Sequence, residues 1–292
     1  PIESGESQIN WSFLYARAGG CTKRSEEPPG VVFSNTGYIK NMFNNVKGNW
    51  SSEKRFILCS CDERYFKVYF KRFYDTFTEL WQLPIHIHII DPSEQSLKWL
   101  ESKQISHTHC NTNDYNWKVA IDKFRIATER TNDDTVIKKW IYESYTQCQR
   151  FVLLGYNMRS DQSIIVADVD AYAQRVPNRR SRKELFRQTA FSRHGGRIMA
   201  TFCHLHPNDL SKIRNVAEDI VHTANNDHFQ IGLDQKALAK VFNQEVWTNL
   251  DKNWIRHFDV KDETDRHHHS LCYIYHEKGL RGKDFDVKWT SW

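Results

Sequence analysis

The chain alternates between short, continuous apolar runs and longer stretches whose apolar residues recur at helical spacing. Arg55-Phe56-Ile57-Leu58-Cys59-Ser60-Cys61 is an apolar run ending in small residues, a buried strand by its length and flanks. Asp62 then opens a segment with Tyr65, Phe66, Tyr69, Phe70, Phe73 and Phe77 on one face, an amphipathic helix with Asp62 as its cap. Ile85-His86-Ile87-His88-Ile89-Ile90 is a second strand, stopped by Asp91-Pro92, and residues 94–102 read as a helix. Strand, helix, strand, helix is the rhythm of a right-handed parallel α/β unit.

Residues 117–150 read as mainly helical with a break at 131–135, and Ser163-Ile164-Ile165-Val166-Ala167 as a third buried strand. Beyond it the pattern predicts a strand over 197–202, helices over 209–224 and 235–243, and a last strand over 271–275. Residues 1–53 carry loop punctuation (Gly19-Gly20, Pro28-Pro29-Gly30, Asn44-Asn45) and read as an N-terminal extension or lead-in. Residues 54–292 then form a single α/β domain, with a central mixed, mostly parallel sheet flanked by helices.

Composition narrows the class. With 39% hydrophobic and 13% aromatic residues in 292, the chain has the material for a substantial core. No stretch reaches the roughly 18 apolar residues of a membrane span, and the N-terminus shows no apolar run of a signal peptide. The absence of an initiator Met reads as trimming, or as a piece of a longer polypeptide. Seven scattered cysteines without a CxxC pair signal neither a disulfide framework nor a zinc knuckle, so reduced thiols in the cytoplasm are expected. The formal charge of +5 is modest. Its densest patch, Arg179-Arg180-Ser181-Arg182-Lys183, has no nucleic-acid motif beside it and reads as a solvated turn or helix start.

The candidate chemistry begins at Asp168-Val169-Asp170, which follows the strand at 163–167, where open α/β sheets place their ligands. Two carboxylates there suit Mg2+ or Mn2+, which such sites hold together with substrate phosphates; turn capping is the alternative. A second Asp-x-Asp, Asp284-Phe285-Asp286, has no strand before it. Asp62 can cap its helix, accept hydrogen bonds from a base or ribose, or do both. Tyr65 can stack on a base or pack on the sheet. Asp234 can bind sugar hydroxyls or an acceptor, or cap the helix after it. His86/His88, His107/His109 and His204/His206 are His-x-His pairs, the pattern of a metallohydrolase, although the first lies inside a strand.

In order and context, these pieces resemble nucleotide-sugar glycosyltransferases with a GT-A fold. Asp168-Val169-Asp170 resembles their DxD motif. Ile57 to Asp62 resembles the first strand, whose end (Cys59, Ser60, Cys61, Asp62) meets the nucleotide, and Ile85 to Asp91 resembles the second. Leu233-Asp234-Gln235 resembles an acidic element near sugar and acceptor. Arg150 resembles an arginine facing the donor. Tyr275-His276-Glu277-Lys278-Gly279-Leu280-Arg281-Gly282-Lys283 resembles the late His-x-x-Gly segment of glycogenin-like members.

The resemblance implies a metal-dependent glycosyltransferase using Mn2+ (or Mg2+) held by Asp168, Asp170 and His276. It implies donor contacts from Gly279, Arg281 and Lys283, with Tyr65 beside the base, and a catalytic element at Asp234 and Gln235. The segment has one residue more between Gly279 and Lys283 than the usual spacing, which makes Arg281 a rival phosphate contact. The implied partners are a nucleotide-diphosphate sugar, UDP-sugar first, and a glycan, lipid or protein acceptor. The implied outcome is retention of the anomer. A metallohydrolase and a non-catalytic glycan-binding module stand as the alternatives.

Overall fold

The computed structural model describes residues 45–113, 120–122, 132–194, 197–226, 232–242, 248–250, 254–258 and 272–277. In chain order the elements begin with a two-residue strand β1 (Lys47–Gly48) and the apolar β2 (Arg55–Asp62). A helical segment α1 follows: a turn at Glu63–Tyr65, a π-helical stretch Phe66–Phe70 and an α-helix Lys71–Trp81. Asp62 caps it by accepting from the Tyr65 amide at 2.8 Å, as the sequence pattern predicts. Then come β3 (Ile85–Ile90), α2 (Glu94–Ser102), β4 (Ser106–Cys110), α3 (Asp134–Asn157), β5 (Ser163–Ala167), β6 (Ala171–Ala173) and α4 (Arg179–Leu185). Strands β7 (Ala190–His194) and β8 (Arg197–Leu205) precede α5 (Leu210–Asn226) and α6 (Leu233–Phe242), and β9 (Thr248–Leu250), β10 (Ile255–Phe258) and β11 (Ile274–Glu277) close the series.

Eight strands form one sheet in the order β1-β4-β3-β2-β5-β8-β7-β9, with β4, β3, β2 and β5 mutually parallel. Its right half is antiparallel where β8 meets β5 and β7, so the sheet is mixed, as expected. A second sheet of three strands, β10-β11-β6, carries the end of the chain's described part.

Strand alternation sorts the core into two layers. Phe56, Leu58, Ile164 and Val166 face α3, α5 and α6; Ile57, Cys59, Cys61, Ile165 and Ala167 face α1, α2 and the small sheet. On the second face a run of rings extends from Phe66 through Phe70, Phe73, Phe77 and Trp81 to Phe202, neighbouring centroids 4.7–6.1 Å apart. Each such ring, wholly buried, contributes about 1.5–3 kcal/mol by leaving water. On the first face Gly155 lets α3 approach α5: a Cβ there would lie 2.3 Å from the Cβ of Ala217.

Several boundaries differ from the sequence reading. The expected break at 131–135 is the start of α3, where Asp133 caps the helix by accepting from the Thr135 and Val136 amides. The last strand covers Ile274–Glu277 rather than 271–275, which puts His276 inside it. The short strands β4, β6, β7, β9 and β10 were not anticipated, because three to five residues with polar members give no periodicity to read. Trp50, in the stretch read as lead-in, packs 4.7 Å from the His86 ring, and its indole N–H donates to Gln162.

Candidate active site

Strand β5, an interior strand of the large sheet, delivers Asp168 and Asp170 just past its C-terminal end. The chain turns sharply there: the Asp168 amide donates to Thr201 O at 2.8 Å, and the Ala171 amide donates to Asp168 O at 2.9 Å. The turn feeds β6, which pairs antiparallel with β11 so that Ala171 lies opposite His276. This pairing brings a histidine more than a hundred residues away beside the two aspartates. His276 Nε2 lies 3.2 Å from Asp170 Oδ1 and 3.5 Å from Asp168 Oδ2. One ligand atom from each of the three residues fits within 4.8 Å of the others, and no other such group occurs among the described residues.

Beneath this group lies a buried ion-pair chain. Arg150, from α3, is 3% exposed; its guanidinium donates to Asp168 on one side and to Asp234, 3.4 Å away in the first turn of α6, on the other. Asp234 is itself 1% exposed and also accepts from the Gln235 amide at 2.8 Å. Burial pushes the Asp234 carboxyl up, and the Arg150 charge opposes that without cancelling it. Burial acts against the Arg150 cation too, but the Asp168 and Asp234 charges outweigh it and raise its pKa. Arg150 Nε has no hydrogen-bond partner among the described residues.

The upper group holds more negative charge than its protein partners neutralise. Burial raises the Asp170 carboxyl, opposed by the hydrogen bond and charge of His276. Burial pulls the His276 imidazole down, but its hydrogen bond to Asp170 and the charges of Asp170 and Asp168 prevail and raise it. Both shifts favour positive charge at the junction. The donor set of two carboxylates and one imidazole fits Mn2+ or Mg2+ better than the thiolate-rich sites of structural zinc.

No family model matches the chain, and no curated protein does. Solved structures are similar to it. The bifunctional glycosyltransferase WbbM matches at 10% identity and a TM-score of 0.49, over 82% of this chain and 47% of that one. Mouse xyloside xylosyltransferase 1 matches at 11% and 0.40, over 79% and 100%. The galactosyltransferase LgtC, solved with donor and acceptor sugar analogues, matches at 12% and 0.44, over 77% and 87%. This chain therefore spans about half of WbbM. At such identities no residue's role passes from those proteins to this one, and the site's chemistry stands on its own geometry.

The remaining expected residues divide. Asp62, 6% exposed at the end of β2, accepts from Tyr65 N and from Arg64. Tyr65 is half-buried, one helical turn after Asp62, and its phenol is pushed up by burial and then by neighbouring Asp170, Tyr69 and Asp62. Cys59 and Cys61 are core residues whose thiols burial pushes up, and the Ser60 hydroxyl donates to Thr146 O at 3.3 Å. Gln235 is partly exposed next to Asp234. Gly279, Arg281 and Lys283, and with them the Asp284-Phe285-Asp286 triplet, His267-His268-His269, Trp247, Trp289 and Trp292, lie outside the described residues. Trp254 is buried against Tyr273, with centroids 4.8 Å apart.

The structure adds residues that the sequence reading passed over. A hollow of about 360 Å³ at the end of β2 is lined by Asp62, Glu63, Arg64, Thr135, Lys138, Lys139 and Tyr142. The Tyr142 hydroxyl donates to Asp91, which also accepts from the Thr112 amide and hydroxyl and takes a left-handed φ of 51° at the end of β3. Tyr142 and Arg150 are eight residues apart on α3, a face that periodicity shows once the helix is known to begin at Asp134.

Two of the three His-x-His pairs are committed elsewhere; in the third, His107 hydrogen-bonds with Ile105 O and the buried His109 Nδ1 has no hydrogen-bond partner among the described residues. His86 hydrogen-bonds with Ser106 and Thr108, and His88 with Thr108 and Cys110. His204 bonds with Ser163 and Gln188 O, while His206 caps the turn before α5 by accepting from Asn208 N.

Proposed function

We propose that this chain is a metal-dependent glycosyltransferase that moves a sugar from a nucleotide-diphosphate donor to a hydroxyl acceptor. The observation that carries the reading is the convergence of Asp168, Asp170 and His276 above the buried Arg150–Asp234 pair. A divalent cation held by those three residues supplies positive charge to the diphosphate leaving group. Arg150 fixes the Asp168 carboxylate and keeps a second positive charge under the site, in a setting too dry to screen it.

Asp62 and Tyr65, at the end of β2 and one helical turn on, hold the nucleoside. The side chains of Cys59, Ser60 and Cys61 are engaged inside the protein, so any contact they make to the donor is through backbone atoms. Asp234 and Gln235, at the start of α6, face sugar or acceptor, with Asp234 oriented by Arg150 and by its own helix's first amide. Gly279, Arg281 and Lys283, which follow β11 in the sequence, contact the phosphates. UDP is the preferred nucleotide, Mn2+ or Mg2+ the cofactor, and retention the stereochemical outcome. A domain of residues 54–292 carries the activity in the cytoplasm, consistent with the six cysteines among the described residues, all of them buried thiols.

The test is donor hydrolysis and sugar transfer with a panel of nucleotide-sugars and Mn2+, comparing the native chain with Asp170→Asn. Loss of both reactions in a variant that melts like the native chain supports the reading. Full transfer by the variant rules it out.

A further inference from the structure

We infer that the face built by residues 175–187 docks onto an anionic lipid surface. Six of those thirteen residues are basic (Arg175, Arg179, Arg180, Arg182, Lys183 and Arg187) and one, Glu184, is acidic. That is a net charge of +5, equal to the formal charge of the whole chain, so the rest of the sequence is neutral overall. The excess is therefore local rather than a general basicity. Arg179, Arg180, Lys183 and Arg187 are exposed, and among the described residues none has a carboxylate partner. At the centre is Val176, 54% exposed; only it and Tyr156 are large apolar side chains left exposed among the described residues.

The face is preformed. The Trp81 indole donates to Arg175 O at 3.1 Å and the Arg182 guanidinium donates back to Trp81 O at 3.2 Å, clamping the loop to the end of α1. Asn178 caps α4 by accepting from Ser181 N at 2.9 Å. Between the loop and α1 lies a hollow of about 460 Å³ with Leu80, Val176 and Pro177 on its apolar side and Arg179 and Arg182 on its cationic side. Glu79 and Gln82 complete its lining. An apolar tip ringed by arginines and lysines matches a bilayer of acidic headgroups, where each basic residue near the surface adds attraction and the tip enters the headgroup layer. A single-stranded nucleic acid would call for exposed aromatic rings to stack its bases, and no exposed aromatic occurs in this stretch.

The placement matters for the rest of the molecule. Arg175 follows Asp170 by five residues, at most about 18 Å of extended chain, so the docked face lies beside the candidate active site. The inference itself rests on charge and exposure, and stands whether or not the chain transfers sugars.

The experiment is flotation of the whole chain with vesicles of phosphatidylcholine alone, or phosphatidylcholine mixed with phosphatidylglycerol. The native chain should float with the mixed vesicles and not the neutral ones, and high salt should release it. Replacing Arg179, Arg180 and Lys183 by Glu (R179E, R180E, K183E together) should lower partitioning by about 100-fold or more. The milder R179Q with R180Q should lower it by about tenfold. Val176→Asp should weaken binding with a smaller salt dependence. Each variant is compared at an unchanged melting temperature, and the glutamine pair serves if the triple variant does not fold. No flotation of the native chain, or equal flotation of the folded charge variants, overturns the inference. So does retention on single-stranded nucleic acid without vesicle binding.

Discussion

The protein buries histidines in two contrasting ways. Across β3 and β4, and again on β8, His86, His88 and His204 sit in the core with hydroxyl, thiol and carbonyl partners. Burial holds His86 and His88 down to about 3 and His204 down to about 4, so all three stay neutral. On β11, His276 meets two carboxylates instead, and is raised against the pull of burial. Neutral histidines with neutral partners are a finished polar interior. A histidine between two carboxylates is a place where positive charge is wanted. The sequence motif alone does not tell these apart, since His86/His88 and His204/His206 resemble metal pairs and turn out to be structural here, while a single histidine carries the candidate ligand role.

The contrast can be broken first at the carboxylates. Asp170→Asn should reduce sugar transfer by about 1,000-fold, on the order of 4 kcal/mol in the barrier, with little change in the melting temperature. A steady-state assay beside a thermal melt checks both halves of that statement. Arg150→Met should instead reach stability. It strands the Asp168 and Asp234 carboxylates, the latter fully buried, and should cost about 3–5 kcal/mol by urea unfolding. A near-neutral Arg150→Met would mean that the pair does not hold the site's floor together.

On the structural side, Thr108→Val removes the hydroxyl shared by His86 Nε2 and His88 Nδ1. The expected cost is about 1–3 kcal/mol with Mn2+ affinity unchanged, and a loss of metal binding there would erase the distinction between the two regions. Acid titration reads the same region through protonation. A histidine whose folded pKa lies below its ordinary 6.5 stays neutral in the fold while the unfolded chain protonates. Its stabilising effect is complete above pH 6.5 and declines as pH falls toward 4 and 3, by about 1.4 kcal/mol per histidine per unit. Unfolding midpoints measured from pH 7 to 4 should fall accordingly, and more gently in His204→Asn.

The parallel strands were legible because β2, β3 and β5 are wholly buried and read as continuous apolar runs. The aspartate pair was legible because it follows such a run. What joins the site was not. β6 is three residues long, and β11 is four with a polar half, so neither carries a period. The pairing of Arg150 with Asp168 and Asp234 spans 18 and 84 residues of sequence and depends on where α3 begins, which the expected break at 131–135 obscured. Tyr142, Lys138 and Lys139 were hidden for the same reason. The buried histidine layer reads as candidate ligands because β4, with four polar residues in its Ser106-His107-Thr108-His109 stretch and no apolar run, gives no sign that it pairs with β3.

The central claim is that Asp168, Asp170 and His276 form a divalent cation site that serves a diphosphate. Calorimetric titration of Mn2+ into the native chain, with and without UDP, measures it most directly. The account predicts one Mn2+ site that tightens with UDP and disappears in Asp170→Asn while His88 and its partners remain intact. Equal Mn2+ binding by the native chain and a folded Asp170→Asn variant would contradict it.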